Sequence, residues 1–173
     1  HFYYLRGIHT LNMSHCSQDT ITNQGFKYLN LALGKNEEKI NTLIMRECYQ
    51  ETITDEAFKY LSGLSTLNMS GCNQETITDQ GFQYLEGGNQ KFQGLSNLNI
   101  NYCDQFTDQA FEYLNQLNTL EMEECSQITD KAFNKFKKIK YLNMQDCRQN
   151  TITIQAFESL ENIRFLIVSW PSD

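Results

Sequence analysis

Cys16, Cys48, Cys72, Cys103, Cys125 and Cys147 are separated by 32, 24, 31, 22 and 22 residues, and each follows the same apolar signature. That signature reads Ile8-Leu11-Met13 before the first cysteine, then Leu43-Met45, Leu67-Met69, Leu98-Ile100, Leu120-Met122 and Leu142-Met144. A period of this size marks an array in which one supersecondary unit stacks on the next. The two-residue step inside each pair is the period of a strand with one buried face. Behind each cysteine comes a second signature: Ile21-Thr22, Ile53-Thr54-Asp55, Ile77-Thr78-Asp79, Phe106-Thr107-Asp108, Ile128-Thr129-Asp130 and Ile152-Thr153. Threonine and aspartate both accept hydrogen bonds from the first N–H groups of a helix, so either can serve as its N-cap. Phe58 with Leu61, Phe82 with Leu85, and Phe111 with Leu114 then lie three apart, on one helix face. Each unit is a strand, a turn, and a short helix that carries the chain back.

Units of this kind make parallel strands by right-handed crossovers, and neighbours must supply each other's core. The expected fold is α/β: a solenoid with a parallel concave sheet of about seven strands and short helices on the convex side. Two units carry insertions, NLALGKNEEK after Leu29 and EGGNQKFQG after Leu85. In the first, Leu33 continues the helix face of Leu29 and Gly34 reads as its stop. The second, with Gly87-Gly88, reads as a loop. Both are expected at one rim, as tolerated insertions. Phe165 to Trp170 reads as a final strand, ended by Pro171. His1-Phe2-Tyr3-Tyr4-Leu5 matches the helix half of the template, as in Ala57-Phe58-Lys59-Tyr60-Leu61. Residues 1–173 therefore read as a single domain that is a piece of a longer array.

The template L-x-x-L-x-L-x-x-C, followed by I-T-D-x-G/A-F-x-x-L, resembles the cysteine-containing leucine-rich repeat of F-box proteins and related members of the ribonuclease-inhibitor-like superfamily. It is also similar to repeat arrays of protists and large amoeba-infecting viruses. Methionine stands in for the second strand leucine at Met13, Met45, Met69, Met122 and Met144. The resemblance implies a horseshoe whose concave sheet binds a partner protein: an interaction scaffold, used as the substrate-recognition arm of a larger intracellular protein. None of these residues matches an F-box, so a ubiquitin-ligase role is not carried over.

Composition narrows the function classes. Hydrophobic residues make up 40% and charged residues 20%, a globular balance. No apolar run approaches the roughly 20 residues of a spanning helix, so no membrane partner is expected. The net charge of −7 argues against nucleic acid, whose binding rests on lysine and arginine, and for a protein partner with a basic or neutral surface. The cysteine spacing tracks the repeat rather than a disulfide framework, and stacked cysteine side chains run parallel, which is poor disulfide geometry. Buried free thiols are expected, and with them a reducing, intracellular compartment such as the cytoplasm. His1, His9 and His15 fall in the first unit, with His15 expected to point outward and Cys16 inward. No Ser/His/Asp or Cys/His constellation, phosphate-cradling glycine loop or paired-carboxylate pocket emerges. No catalytic, metal or cofactor residue is assigned, and an enzyme is not expected.

The outward strand positions are where function is expected. They read as columns in which asparagine and threonine recur as neutral filler, and the departures carry the interest. Glu121, Glu123, Glu124 and Asp146 form an acidic group, and Tyr102, Tyr141, Phe165, Ile167 and Trp170 an aromatic and apolar group toward the C-terminal end. Aromatic anchors beside charge are typical of interface hot spots. A second reading is structural: an array that self-associates or packs in an assembly through its apolar final strand, which is a pairing hazard if left open.

Overall fold

The computed structural model describes residues 8–32, 39–86 and 93–169. Seven strands lie side by side in chain order in one parallel sheet: β1 (Thr10–Asn12), β2 (Thr42–Ile44), β3 (Thr66–Asn68), β4 (Asn97–Asn99), β5 (Thr119–Glu121), β6 (Tyr141–Met144) and β7 (Phe165–Val168). The register puts Leu11, Leu43, Leu67, Leu98, Leu120, Leu142 and Leu166 in one row. From Leu43 to Leu142 that row is buried, which is the alternation expected of a sheet covered on one face.

The return segments are shorter and tighter than the expected helices. Helix α1 (Asn23–Ala32) has ten residues, but α2 (Asp130–Phe133) and α3 (Ile154–Glu158) have four and five. Segments Asp55–Tyr60, Asp79–Leu85 and Asp108–Glu112 are 3₁₀ turns. One strand spacing per unit leaves little room between convex segments, and the narrower 3₁₀ helix fits where a full α-helix crowds its neighbours. Phe58, Phe82, Phe106, Phe111, Phe133 and Phe136 fill the layer beneath, with ring centroids of 5.0 Å for Phe82 and Phe106 and 4.9 Å for Phe111 and Phe136. The insertion positions Leu33, Gly34, Gly87 and Gly88 lie outside the described residues, as do His1 to Leu5.

Two side-chain ladders join the first six units in succession, and a third joins three of those five pairs. The structure settles the cap: Thr54, Thr78, Thr107, Thr129 and Thr153 are the N-caps, each Oγ1 accepting from the N–H two residues on. The aspartate that follows faces the next unit instead. Asp55, Asp79, Asp108 and Asp130 each accept two bonds, from the N–H and the Oγ1 of Thr78, Thr107, Thr129 and Thr153, at 2.6–2.9 Å. Asn23 holds Thr54 in the same way, except that its Nδ2 donates to Thr54 Oγ1. In the second ladder Cys48, Cys72, Cys103, Cys125 and Cys147 donate through Sγ to the carbonyls of Met13, Met45, Met69, Ile100 and Met122. All six cysteines are free; four are buried, while Cys16 and Cys147, at the two ends, are half-buried. Burial pushes the Cys103 thiol up to about 12 and holds Cys125 and Cys147 high as well. The contact between the Cys48 and Cys72 thiols splits that pair, driving Cys72 upward. In the third ladder Nε2 of Gln50, Gln105 and Gln149 donates to the carbonyls of Gln18, Cys72 and Cys125.

Candidate functional site

After β1 and β3–β6 the chain makes a tight turn in which the cysteine N–H returns to the carbonyl three residues back, as from Cys72 to Met69 at 3.0 Å and from Cys103 to Ile100 at 3.1 Å. The residue before the cysteine takes a left-handed backbone in all six cysteine-containing units. His15, Glu47, Tyr102, Glu124 and Asp146 have φ of 50–62°, and Gly71 has φ of 73°. This region favours glycine, and a side chain there costs about 1 kcal/mol or more. Three of the expected site residues, Tyr102, Glu124 and Asp146, occupy it.

The asparagine column is not filler. Asn12, Asn68, Asn99 and Asn143 each turn Oδ1 back to accept the N–H two residues on, at 3.0–3.1 Å. This side-chain closure satisfies a donor where the strand breaks into its turn. Glu121 occupies the same slot and does not close its own turn. The N–H of Glu123 bonds instead to Oδ1 of Asn101 in the preceding unit, at 2.8 Å, and Asn101 is buried. Glu121 Oε2 accepts from Asn99 Nδ2 at 2.9 Å.

The expected site residues fall into two neighbouring groups. On the rim after the strands, Tyr102 Oη donates to Glu123 Oε1 at 3.0 Å. That hydrogen bond, and then the charges of Glu123, Glu124 and Asp146, raise the Tyr102 phenol, so the four side chains share one field. Arg148 Nη2 meets Asp146 Oδ1 at 2.9 Å, and this pairing raises the guanidinium further. Tyr102 therefore belongs with the carboxylates and not with the other aromatics. Asp104, Glu124, Asp146 and Arg148 border an open concavity of about 460 Å³. On the sheet, Tyr141 and Phe165 face each other at 6.4 Å, and Ile167 follows on β7. Phe165 is 66% exposed and Ile167 40%. Glu121 links the groups, since it shares a register row with Asn143 and Ile167. Trp170 lies outside the described residues.

The structure adds Asn101, Arg148 and Asp104 to the site. The signal for Asn101 was available as a paired departure, since Glu121 replaces the closing asparagine and Asn101 stands one unit earlier. Arg148 and Asp104 lie behind cysteines, in slots with no recurrent letter, and carry no such signal. Among the described residues no three His, Cys, Asp or Glu side chains converge as a metal site, and no helix is long and apolar enough to cross a membrane.

No family model and no curated protein matches this sequence. Solved structures do match. The TLR13 chain of a complex with ssRNA13 superposes with a TM-score of 0.61 at 17% identity, over 86% of this chain and 23% of that one. The fold is a leucine-rich repeat solenoid. A chain from a complex of Drosophila Toll with Spatzle gives 0.55 at 14% identity, over 91% of this chain and 26% of its own length. A chain from the yeast Rad7 and Elc1 complex gives 0.57 at 15% identity, over 95% of this chain and 52% of its own length. This chain thus spans between about a quarter and a half of those leucine-rich repeat chains.

Proposed function

We propose that the chain is a non-catalytic protein-interaction module that binds its partner on the concave face over β5–β7 and the adjoining rim, and that it serves as the recognition arm of a larger intracellular protein. The observation that carries this reading is the exposed apolar pair Phe165 and Ile167, two strands from Glu121 on a sheet face where asparagine and threonine predominate and Ile44 and Tyr141 are the other departures. An exposed apolar patch rimmed by polar groups is the usual form of an interaction site. The neighbours named above include complexes with Spatzle, Elc1 and ssRNA13, which supports a binding role. The net charge of −7 favours a protein partner over a nucleic acid. The thiol ladder, broken by oxidation of any of its donors, suits a reducing compartment. The test is affinity capture from the native cell with wild-type protein and with Tyr141→Ala/Phe165→Ala. A partner retained equally by both excludes this face.

A second reading, self-association through the last strand, has its own observation. Leu166 is 41% exposed where Leu142 in the same row is fully buried, and a cavity of about 260 Å³ opens between Met144, Ile152, Phe157 and Val168 at the same end of the sheet. Sedimentation over a range of protein concentrations tests it: a constant monomer mass removes this reading.

A further inference from the structure

The concave-face reading says that a protein binds here; the chemistry of the surface says what part of a protein. Along β7 the sheet presents Phe165 and Ile167 to solvent, backed by Tyr141 on β6. Across β5 and its turn it presents Glu121 and Glu123. Each of these carboxylates spends one oxygen within the protein, Glu121 Oε2 on Asn99 and Glu123 Oε1 on Tyr102, and neither meets a cation among the described residues. Asn143 lies between Glu121 and Ile167 in the same row, its Oδ1 turned to the N–H of Gln145. Two strand spacings separate the carboxylate from the apolar pair, about 10 Å.

A wholly apolar occupant would strip water from Glu121 and Glu123 without replacing its hydrogen bonds, and an acidic one would be repelled. A compact cation alone would leave Phe165 and Ile167 wet. An occupant that satisfies both halves carries an apolar side chain and a lysine or arginine at a fixed separation. In extended chain, side chains two or four positions apart point to the same face, about 7 or 13 Å from one another. With the reach of a long basic side chain, either spacing bridges the gap.

We propose, on the basis of the concave-face reading, that β5–β7 take an extended peptide segment of a partner protein, with an apolar side chain seated on Phe165 and Ile167 and a lysine or arginine two or four positions away on Glu121 and Glu123. Selection tests this directly. A phage library of random peptides of about twelve residues is panned on the folded chain. Enriched sequences are then synthesised with a fluorophore and titrated by anisotropy against wild type, Glu121→Gln/Glu123→Gln and Phe165→Ser/Ile167→Ser. Phe165 and Ile167 are exposed and Glu121 and Glu123 half-buried, and thermal melting checks that the variants stay folded. The expected outcome is enrichment of an apolar residue with a basic one at either spacing. Binding should weaken roughly tenfold or more in each double variant and fall as ionic strength rises. No enrichment, enrichment of acidic or uncharged peptides, or equal binding to the glutamine variant overturns the peptide class. If those peptides still lose affinity for the Phe165→Ser/Ile167→Ser protein, the concave-face reading survives. Peptides that bind both double variants as wild type overturn the two together.

Discussion

In the unit that begins at Leu64, Asn68 closes its own turn and Gly71 takes the left-handed position; in the unit that begins at Leu117, the same slots hold Glu121 and Glu124. Beneath the sheet the two units are interchangeable. Leu67 and Leu120, Met69 and Met122, and Cys72 and Cys125 are all buried, and both thiols donate to the carbonyl one unit back. Above the sheet the second unit departs at each position where the first is locally at ease. It has lost its own closing side chain, recovered from Asn101, and it holds a glutamate at φ 55°. The comparison teaches that core letters and surface letters are set independently, and that the surface of the second unit has costs the core does not require.

The largest test of this separation lies in the core. Leu67→Ala and Leu120→Ala should cost about the same, roughly 2–5 kcal/mol each, because both sites are closed and leave similar cavities. Leu166→Ala, at a side chain 41% exposed, should cost less than about 2 kcal/mol. Urea midpoints of the three variants decide the matter. A Leu166 variant as damaged as the other two would mean that β7 is covered in solution, and the self-association reading would gain.

The next effect concerns the carboxylate ladder, which runs under both units. Asp79 is buried and holds two bonds from half-buried Thr107, so Asp79→Ala should cost about 2 kcal/mol by leaving the N–H and hydroxyl donors of Thr107 unpaired. Asp130 holds Thr153 in a more exposed position, and Asp130→Ala should cost about 1 kcal/mol. Asp79→Asn should cost under about 1 kcal/mol, because Asn23 already holds Thr54 with an amide. An asparagine variant as unstable as the alanine one would show that charge, not geometry, carries the rung.

The core was legible from the chain because it repeats. Leucine, methionine, cysteine and phenylalanine at fixed offsets can only be satisfied by stacking, and the seven strands fall where the period put them. The ladders were half-legible. Threonine and aspartate both announce a helix start, but which faces the next unit depends on the distance between neighbouring turns, and no single copy of the template contains that distance. The 3₁₀ geometry was hidden for the same reason, since it follows from crowding between units. The candidate residues stand out in the sequence as departures from the template, yet the part played by Asn68 and its equivalents does not. A recurrent asparagine in a strand looks inert until the turn that follows it is known. The grouping of Tyr102 with carboxylates rather than with Tyr141 was likewise set by a backbone turn.

That compensation can be taken apart by a double-mutant cycle. Asn101→Ala removes the acceptor of the Glu123 N–H and should cost about 1–2 kcal/mol. Glu121→Asn restores to this unit the closure that Asn68 makes in the other, so in the Asn101→Ala background it should recover most of the loss, while in wild type it should do little. Thermal melting of the four proteins gives the coupling, expected at about 1 kcal/mol. Additive effects would mean that Glu121 was never competing with that closure.

The smallest effect bears most directly on why the two units differ. Glu124→Gly gives the second unit the residue that the first has at Gly71 and should stabilise the protein by about 1 kcal/mol, because a side chain leaves a left-handed backbone position. The reverse change, Gly71→Glu, should cost at least as much, since its Cβ would come within 3.1 Å of Glu47 Cγ and bring a second carboxylate beside the first. If the strain at Glu124 is held for binding, Glu124→Gly should weaken a basic peptide on this face while raising the melting temperature. Movement of both quantities in opposite directions ties the departure to recognition. A stabilised protein with unchanged peptide affinity would confine the site to Glu121, Glu123 and the sheet.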